Sequence, residues 1–242
     1  MRKFPKFMVA LASVSGWLPA MVQAEGVPPR ALTGEGELAY LKSSGSSSQE
    51  TLKGFSYLRH QRRDWTHELR LEALNESNDD TGLRTRERYY AMEKSSWNFT
   101  PRDYLFVRPQ FEKDLQSGYD YQAMLALGYG HQFLKSDTQL LTMDIGAGQR
   151  HSKDRITAAA KDEAVANGAL KYEWKFRPGA RFTEDISVDA GPENTVTRTR
   201  SALIFALTDA FGAVVAFETR NDDGPVTLKD TITSVGLNYL LK

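Results

Sequence analysis

The sequence predicts an all-β fold, a single antiparallel up-and-down transmembrane β-barrel of about 12 strands. Three observations predict it. Twelve short segments alternate apolar and polar residues. A basic and then apolar leader precedes them. No later stretch has the unbroken apolar length, about 20 residues, of a helix that spans a bilayer. Side chains on a strand reverse direction at every residue, so alternation marks a strand with one greasy and one polar face. The clearest case is Trp65-Thr66-His67-Glu68-Leu69-Arg70-Leu71-Glu72-Ala73. Here Trp65, Leu69, Leu71 and Ala73 point one way, and Glu68, Arg70 and Glu72 the other.

The leader comes first. Arg2, Lys3 and Lys6 form a basic start, Phe7 to Pro19 is largely apolar, and Val22-Gln23-Ala24 fits a small-residue cleavage site. This divides the chain into a cleaved signal peptide, residues 1–24, and an outer-membrane β-barrel domain, residues 25–242. Cleavage removes three of the 31 basic residues and none of the 31 acidic ones, leaving a net charge of about −3. That balance gives no support for nucleic-acid binding, which needs a basic face. The absence of Cys excludes disulfides and thiolate chemistry. The low mean hydropathy does not argue against a membrane barrel, because a barrel strand shows lipid only every second residue.

The expected strands are 34–42, 50–60, 65–74, 86–97, 103–112, 119–133, 139–150, 163–176, 180–189, 195–207, 210–220 and 231–241. Most are near the 9–11 residues that a tilted strand needs to cross. Between them, connections of two kinds take turns. Arg62-Arg63-Asp64, Asn98 to Arg102, Leu134 to Thr138, Arg177-Pro178-Gly179 and Thr208-Asp209 are tight and carry turn residues. The others, such as the Ser-rich Lys42 to Gln49, Asn75 to Thr85, His151 to Asp162 and Asn221 to Asp230, are mostly longer and more polar. Short turns on one rim and long loops on the other is the outer-membrane pattern, with the turns and both termini in the periplasm.

Aromatic residues give the same orientation. Trp65, Trp97 and Trp174 each lie near a tight turn, as do Phe133, Phe176, Phe182, Phe211 and Tyr239. Such rings are favoured at the headgroup boundary, where the body is apolar and the tip wet. At the chain end, Gly236, Tyr239 and Leu241 stand at the spacing of the terminal signal read by outer-membrane assembly machinery, with Lys242 one residue beyond it.

Phase within each strand assigns the faces. Leu69, Leu71, Leu105, Leu125, Leu127, Ile145, Leu203, Val215, Phe217, Val235 and Leu237 belong outside. The candidate lumen-facing residues are Glu68, Arg70, Glu72, Arg108, Glu112, Asp144, Lys171, Glu173, Arg181, Asp185, Arg198, Arg200, Glu218 and Arg220, together with Gln110 and Gln122. The opposite phase would expose several charges to lipid, at roughly 2–4 kcal/mol for each Arg or Lys at mid-membrane. Glu93 and Glu184 break the outward face. Glu184 is near the inner rim, and a bulge in strand 86–97 would account for Glu93. Pro109 interrupts another strand, where it cannot donate a ladder hydrogen bond. Gly128, Gly130, Gly146 and Gly148 share the inward phase, where they either widen the lumen or make room for neighbouring rings.

Several segments carry a likeness to known proteins. Gly34-Glu35-Gly36-Glu37-Leu38, Gly118-Tyr119-Asp120-Tyr121, Gly128-Tyr129-Gly130, Tyr172-Glu173-Trp174-Lys175 and Asp230-Thr231-Ile232-Thr233-Ser234-Val235, in that order, resemble the salt-induced outer-membrane protein family. That family's shared domain has no assigned molecular function. The resemblance covers nearly all of the mature chain and implies a barrel in the bacterial outer membrane. The short Ser-rich first loop and Lys242 depart from the pattern, and no catalytic residue carries over.

Chemistry is sparse. His60, His67, His131 and His151 do not pair at zinc-motif spacing, so no catalytic, cofactor-binding or metal residue is assigned, and no cofactor is implied. The acidic segment Asn75 to Asp80 has oxygen ligands for Ca²⁺ but lacks the EF-hand pattern. The expected partners are outer-membrane lipid and lipopolysaccharide, and the assembly machinery through the last strand. The oligomeric state stays open. Inward charges of both signs suit a narrow channel for ions or small polar solutes. That is the leading reading, and the alternative is a closed structural or envelope-adaptation barrel with a charge-filled lumen. A lipid-active enzyme ranks third.

Overall fold

A computed structural model describes residues 31–43, 49–78, 81–224 and 226–241. The expected signal peptide, most of the Ser-rich first loop, Asp79, Asp80 and Lys242 lie outside them. The strands are β1 (Ala31–Ser43), β2 (Gln49–Arg62), β3 (Trp65–Asn78), β4 (Arg84–Asn98), β5 (Asp103–Asp114) and β6 (Tyr119–Lys135). They continue as β7 (Gln139–Asp154), β8 (Ala160–Arg177), β9 (Ala180–Ala190), β10 (Thr195–Ala206), β11 (Phe211–Asp222) and β12 (Leu228–Leu241). Each pairs antiparallel with its neighbours in sequence, and β12 returns to β1, so the chain is a closed twelve-strand up-and-down barrel. Closure leaves every internal strand with two partners, which is how a sheet avoids exposed edges.

Hairpin pairing runs further than alternation alone suggested. β7 and β8 stay in register out to Lys153↔Ala160, and β11 and β12 to Asp222↔Leu228. Much of what reads as long polar loop is therefore strand. Asn75 to Asn78 belong to β3, and Glu76 faces the interior, 3.7 Å from Arg86. This removes Glu76 from the proposed calcium loop.

The pattern of burial is inverted relative to a water-soluble protein. Leu127, Ile145 and Leu237 are 63%, 59% and 64% exposed, whereas Arg200 and Asp189 are 2% and 1% exposed. Trp65, Trp97, Phe99, Phe133, Trp174, Phe176, Phe211 and Tyr239 are exposed around the rim of tight turns, several in ring pairs such as Trp97–Phe99 and Phe211–Tyr239. Tyr89 and Phe111 are exposed nearer the other rim. Trp97 and Tyr89 share one face of β4, eight residues apart. At about 3.4 Å per residue and a tilt near 40°, that separates the two belts by roughly 20 Å.

The inner face is not wholly polar. Ala202, Ile204, Val214 and Ala216 form one small buried apolar cluster, and Met124, Ala126 and Val165 another. The inward glycines have a structural use. A Cβ on Gly128 would lie 2.4 Å from the Phe106 ring, and one on Gly130 would lie 2.2 Å from the Tyr104 ring. These two rings press against the bare backbone of β6, and the glycines admit them.

The expected bulge at Glu93 does not exist. β3 and β4 stay in register from Trp65↔Trp97 to Glu76↔Arg86, and the shift falls between Glu76 and Ser77. Glu93 is outward and is accommodated by neighbours: Ser95 donates to it at 2.5 Å, and His67 Nδ1 is 2.7 Å from Ser95 Oγ. The β4–β5 ladder passes from Met92↔Gln110 to Ser95↔Val107, leaving out the stretch that contains Pro109. Glu184 is likewise held, by Ser201 on the next strand.

The closing seam is short. β1 and β12 pair only from Gly34↔Leu241 to Leu38↔Leu237, while both strands continue toward the loop rim.

Candidate functional site: a divided lumen

Strand alternation directs every second residue to the axis, and closure brings residues far apart in sequence face to face. Lys53 Nζ meets Glu218 Oε1 at 2.6 Å across 165 residues and also donates to Ser234. Arg108 meets Asp189 at 2.7 Å. Arg200 lies between Glu37 and Glu218, the latter at 3.0 Å. Arg198 spans Glu112 and Asp189.

Toward the loop rim the network thickens. Arg220 Nη2 is 2.9 Å from Asp222, and its Nη1 is 3.5 Å from Asp114. Its Nε lies 2.9 Å from Glu112 Oε1 but is not aligned as a hydrogen bond, so that contact is Coulombic. Arg86 reaches Asp230 at 2.5 Å. Arg150 holds Glu163 at 2.7 Å and the Asn194 carbonyl at 2.6 Å. Asn194 in turn donates to Asp222 at 2.7 Å. Tyr119, Asn194, Arg150, Arg220 and Asp222 are all almost fully buried. One small space beside this network, about 20 Å³, is lined by Arg70, Glu72, Arg88, Arg198, Glu218 and Arg220 among others. That is room for about one water.

The other half is open. A cavity of about 1070 Å³ extends from Arg70, Arg108, Arg198 and Arg200 to the turns at Arg63-Asp64, Phe99-Thr100-Pro101 and Ser136-Asp137-Thr138. Its wall carries Tyr57, which donates to Glu68, and Lys94, 2.8 Å from Asp144 and 3.2 Å from Glu68. Tyr104 also donates to Asp144. Arg181 pairs with Glu35. The lumen is therefore two compartments: a vestibule on the turn side and an ionic plug on the loop side.

The sequence-named residues divide between them. Glu68, Arg70, Arg108, Asp144, Lys171, Glu173, Arg181, Asp185, Arg198 and Arg200 line the vestibule. Glu72, Glu112, Glu218 and Arg220 belong to the plug. Gln110 donates to Asp189, and Gln122 to Ser152. Sequence reasoning missed Glu37, Lys53, Lys94, Asp114, Arg150, Glu163, Asp189 and Asp222, all in ion pairs of the lumen. The signal that finds them is continuation of the phase already assigned: Asp189 is four residues from Asp185, and Asp222 two from Arg220.

The histidines do not make a catalytic arrangement. His67 offers the same nitrogen, Nδ1, to Ser95 at 2.7 Å and to Glu93 at 3.5 Å. A nucleophile–base–carboxylate relay needs opposite ring nitrogens for these two partners. His131 pairs with Asp103 and His151 with Asp162, away from the lumen. Among the described residues no group of His, Cys, Asp or Glu is arranged to hold a metal ion.

A model of the family described as "Protein of unknown function, DUF481" matches residues 36–240. The chain belongs to the DUF481 family. The "Uncharacterized protein YdiY" of Escherichia coli (strain K12) is 32% identical over 212 residues, covering 85% of this chain and 82% of that protein. Among solved structures, a NanC porin superposes with a TM-score of 0.52 at 8% identity, covering 87% of this chain and 100% of that one. That likeness is one of fold: the DUF481 chain is a porin-like barrel.

Proposed function

We propose that this DUF481 protein is an outer-membrane barrel shut at its loop rim, a closed envelope barrel and not a standing pore. The location is supported by the porin-like fold and by the two exposed aromatic belts around an apolar band. In this reading the tight turns face the periplasm and the loop rim faces outward. Lipid and lipopolysaccharide meet the band, and the assembly machinery engages β12.

Closure is carried by one observation: on the loop side Arg220, Glu112, Asp114, Asp222, Arg150 and Glu163 are buried and paired with one another, whereas the turn side holds a cavity of about 1070 Å³. Side chains this buried and held in charge pairs leave a hydrated ion no wetted path between them. Planar-bilayer recording of the purified barrel tests this. The expected result is silence across voltages and salts in the wild type, with steps appearing when Glu112 or Arg220 is replaced by Ala. Regular wild-type steps that change on Arg198→Ala or Arg200→Ala overturn closure and favour a narrow channel.

A further inference from the structure

We infer that the vestibule is a binding site for a small polyvalent anion, a solute carrying several carboxylate or phosphate groups, which seats on a floor of guanidinium groups. The inference names a ligand class for the vestibule described above, and it rests on that vestibule being open to water at the turn rim.

The first observation is composition. The whole chain has equal numbers of basic and acidic residues. The vestibule does not: eleven basic and seven acidic side chains line it. The excess is therefore local, and an aqueous cavity with low-dielectric walls focuses it.

The second observation is the way the floor pairs are turned. Arg70, Arg108, Arg198 and Arg200 line the vestibule, whereas their carboxylate partners Glu72, Asp189, Glu112, Glu37 and Glu218 do not. Each pair is a dipole with its positive end toward the open space. An anion on this floor meets guanidinium first and carboxylate only behind it.

The third observation is spare donor capacity. Arg70 spends Nε on Glu72 at 2.6 Å and keeps its terminal nitrogens without a protein acceptor among the described residues. Arg108 is 5% exposed and pairs through Nη2, while its buried Nε has no acceptor among the described residues. Guanidinium is suited to this task because its fork matches carboxylate and phosphate oxygens.

Aromatic rings hold the floor in place. The Arg200 guanidinium lies 4.3 Å from the Phe55 ring centre, Arg70 lies 5.4 Å from the same ring, and Arg198 lies 5.1 Å from Tyr90. On the wall, Lys171 Nζ sits 3.9 Å over Tyr57 and 3.8 Å from Glu68. These contacts fix the cations before a ligand arrives, so little ordering entropy is spent on binding.

The test uses citrate as a trivalent probe on the full-length processed barrel in detergent, at low ionic strength, read by isothermal calorimetry. The expected result is saturable binding that weakens as salt is raised. Arg70→Gln weakens it about tenfold or more, the loss expected for hydrogen bonds to a charged group. Lys171→Gln weakens it by about threefold. Lys153→Gln, on the far rim and 3.7 Å from Asp120, leaves it unchanged. Migration with and without boiling establishes that each variant is folded. If Arg70→Gln does not fold, Lys171→Gln carries the test alone. The inference is overturned if citrate does not saturate below about 10 mM. It is also overturned if sorbitol or choline binds as well as citrate, or if the folded lumen variants bind as the wild type does. Citrate binding with a wild-type barrel that conducts sinks closure alone, and a silent barrel that ignores citrate sinks this inference alone.

Discussion

Replacing Arg220 by Ala tests the plug directly. Arg220 is 2% exposed and touches Glu112, Asp114 and Asp222 at 2.9, 3.5 and 2.9 Å. The Ala variant leaves buried Asp114 and Asp222 without this cation and Glu112 with Arg198 alone. One unit pair with charge centres near 4 Å apart interacts by about 4 kcal/mol at an effective dielectric of 20. Two close partners therefore give roughly 8 kcal/mol of attraction, and desolvation of the guanidinium takes back several of these. The expected net loss is about 3–5 kcal/mol, the range for a buried pair broken on one side. The assay is reversible urea unfolding in detergent micelles, followed by tryptophan fluorescence. Glu112→Gln in the same chain relieves part of the repulsion, so the double variant should lose less than the sum of the single losses. A loss under about 1 kcal/mol for Arg220→Ala would mean that the loop half is wet and its charges screened, and the reasoning for closure would fail with it.

Three further outcomes follow from the same geometry. Leu127→Arg, at an exposed position midway along β6, should cost roughly 2–4 kcal/mol when unfolding is measured in lipid bilayers; no loss there would contradict a lipid-facing band. Gly130→Ala places a Cβ 2.2 Å from the Tyr104 ring and should cost about 1–3 kcal/mol by urea unfolding, with part of the loss recovered by Tyr104→Ala in the same chain; a neutral Gly130→Ala would show that the ring does not need the bare backbone. The chain has no native cysteine, so engineered pairs read the seam cleanly: Leu38→Cys with Leu237→Cys should oxidise to a cross-link visible by gel mobility, while Tyr40→Cys with Val235→Cys, one outward step past the last paired residues, should not. Equal cross-linking of both pairs would mean that β1 and β12 stay zipped toward the loop rim.

Local order was the part of this protein legible in its residues. Alternation at Trp65 to Ala73 placed β3 and assigned its faces, because the two-residue period of a strand is written directly into neighbouring side chains. The same period located all twelve strands, although it stopped short at several loop-side ends. There, polar residues such as Asn75 and Ser77 look like loop when read singly, yet they remain in a hairpin ladder because a pairing neighbour continues beside them. Glu93 shows the opposite limit. Its charge suggested a slipped register, but His67 and Ser95, supplied by β3 and β4, satisfy it in place.

What only the tertiary structure decided is which charges meet and where space remains. Lys53 and Glu218 are partners because closing the cylinder at β1 and β12 brings β2 and β11 near each other, and nothing within either strand encodes that meeting. Alternation tells an inward residue from an outward one, but it carries no information about height along the axis. Height separates the vestibule from the plug: Arg70 and Glu72 sit two residues apart on one face of β3, yet Arg70 borders the open compartment and Glu72 does not. Inside a narrow barrel a step of about 7 Å along a strand therefore changes a side chain's surroundings from water to a locked ion pair.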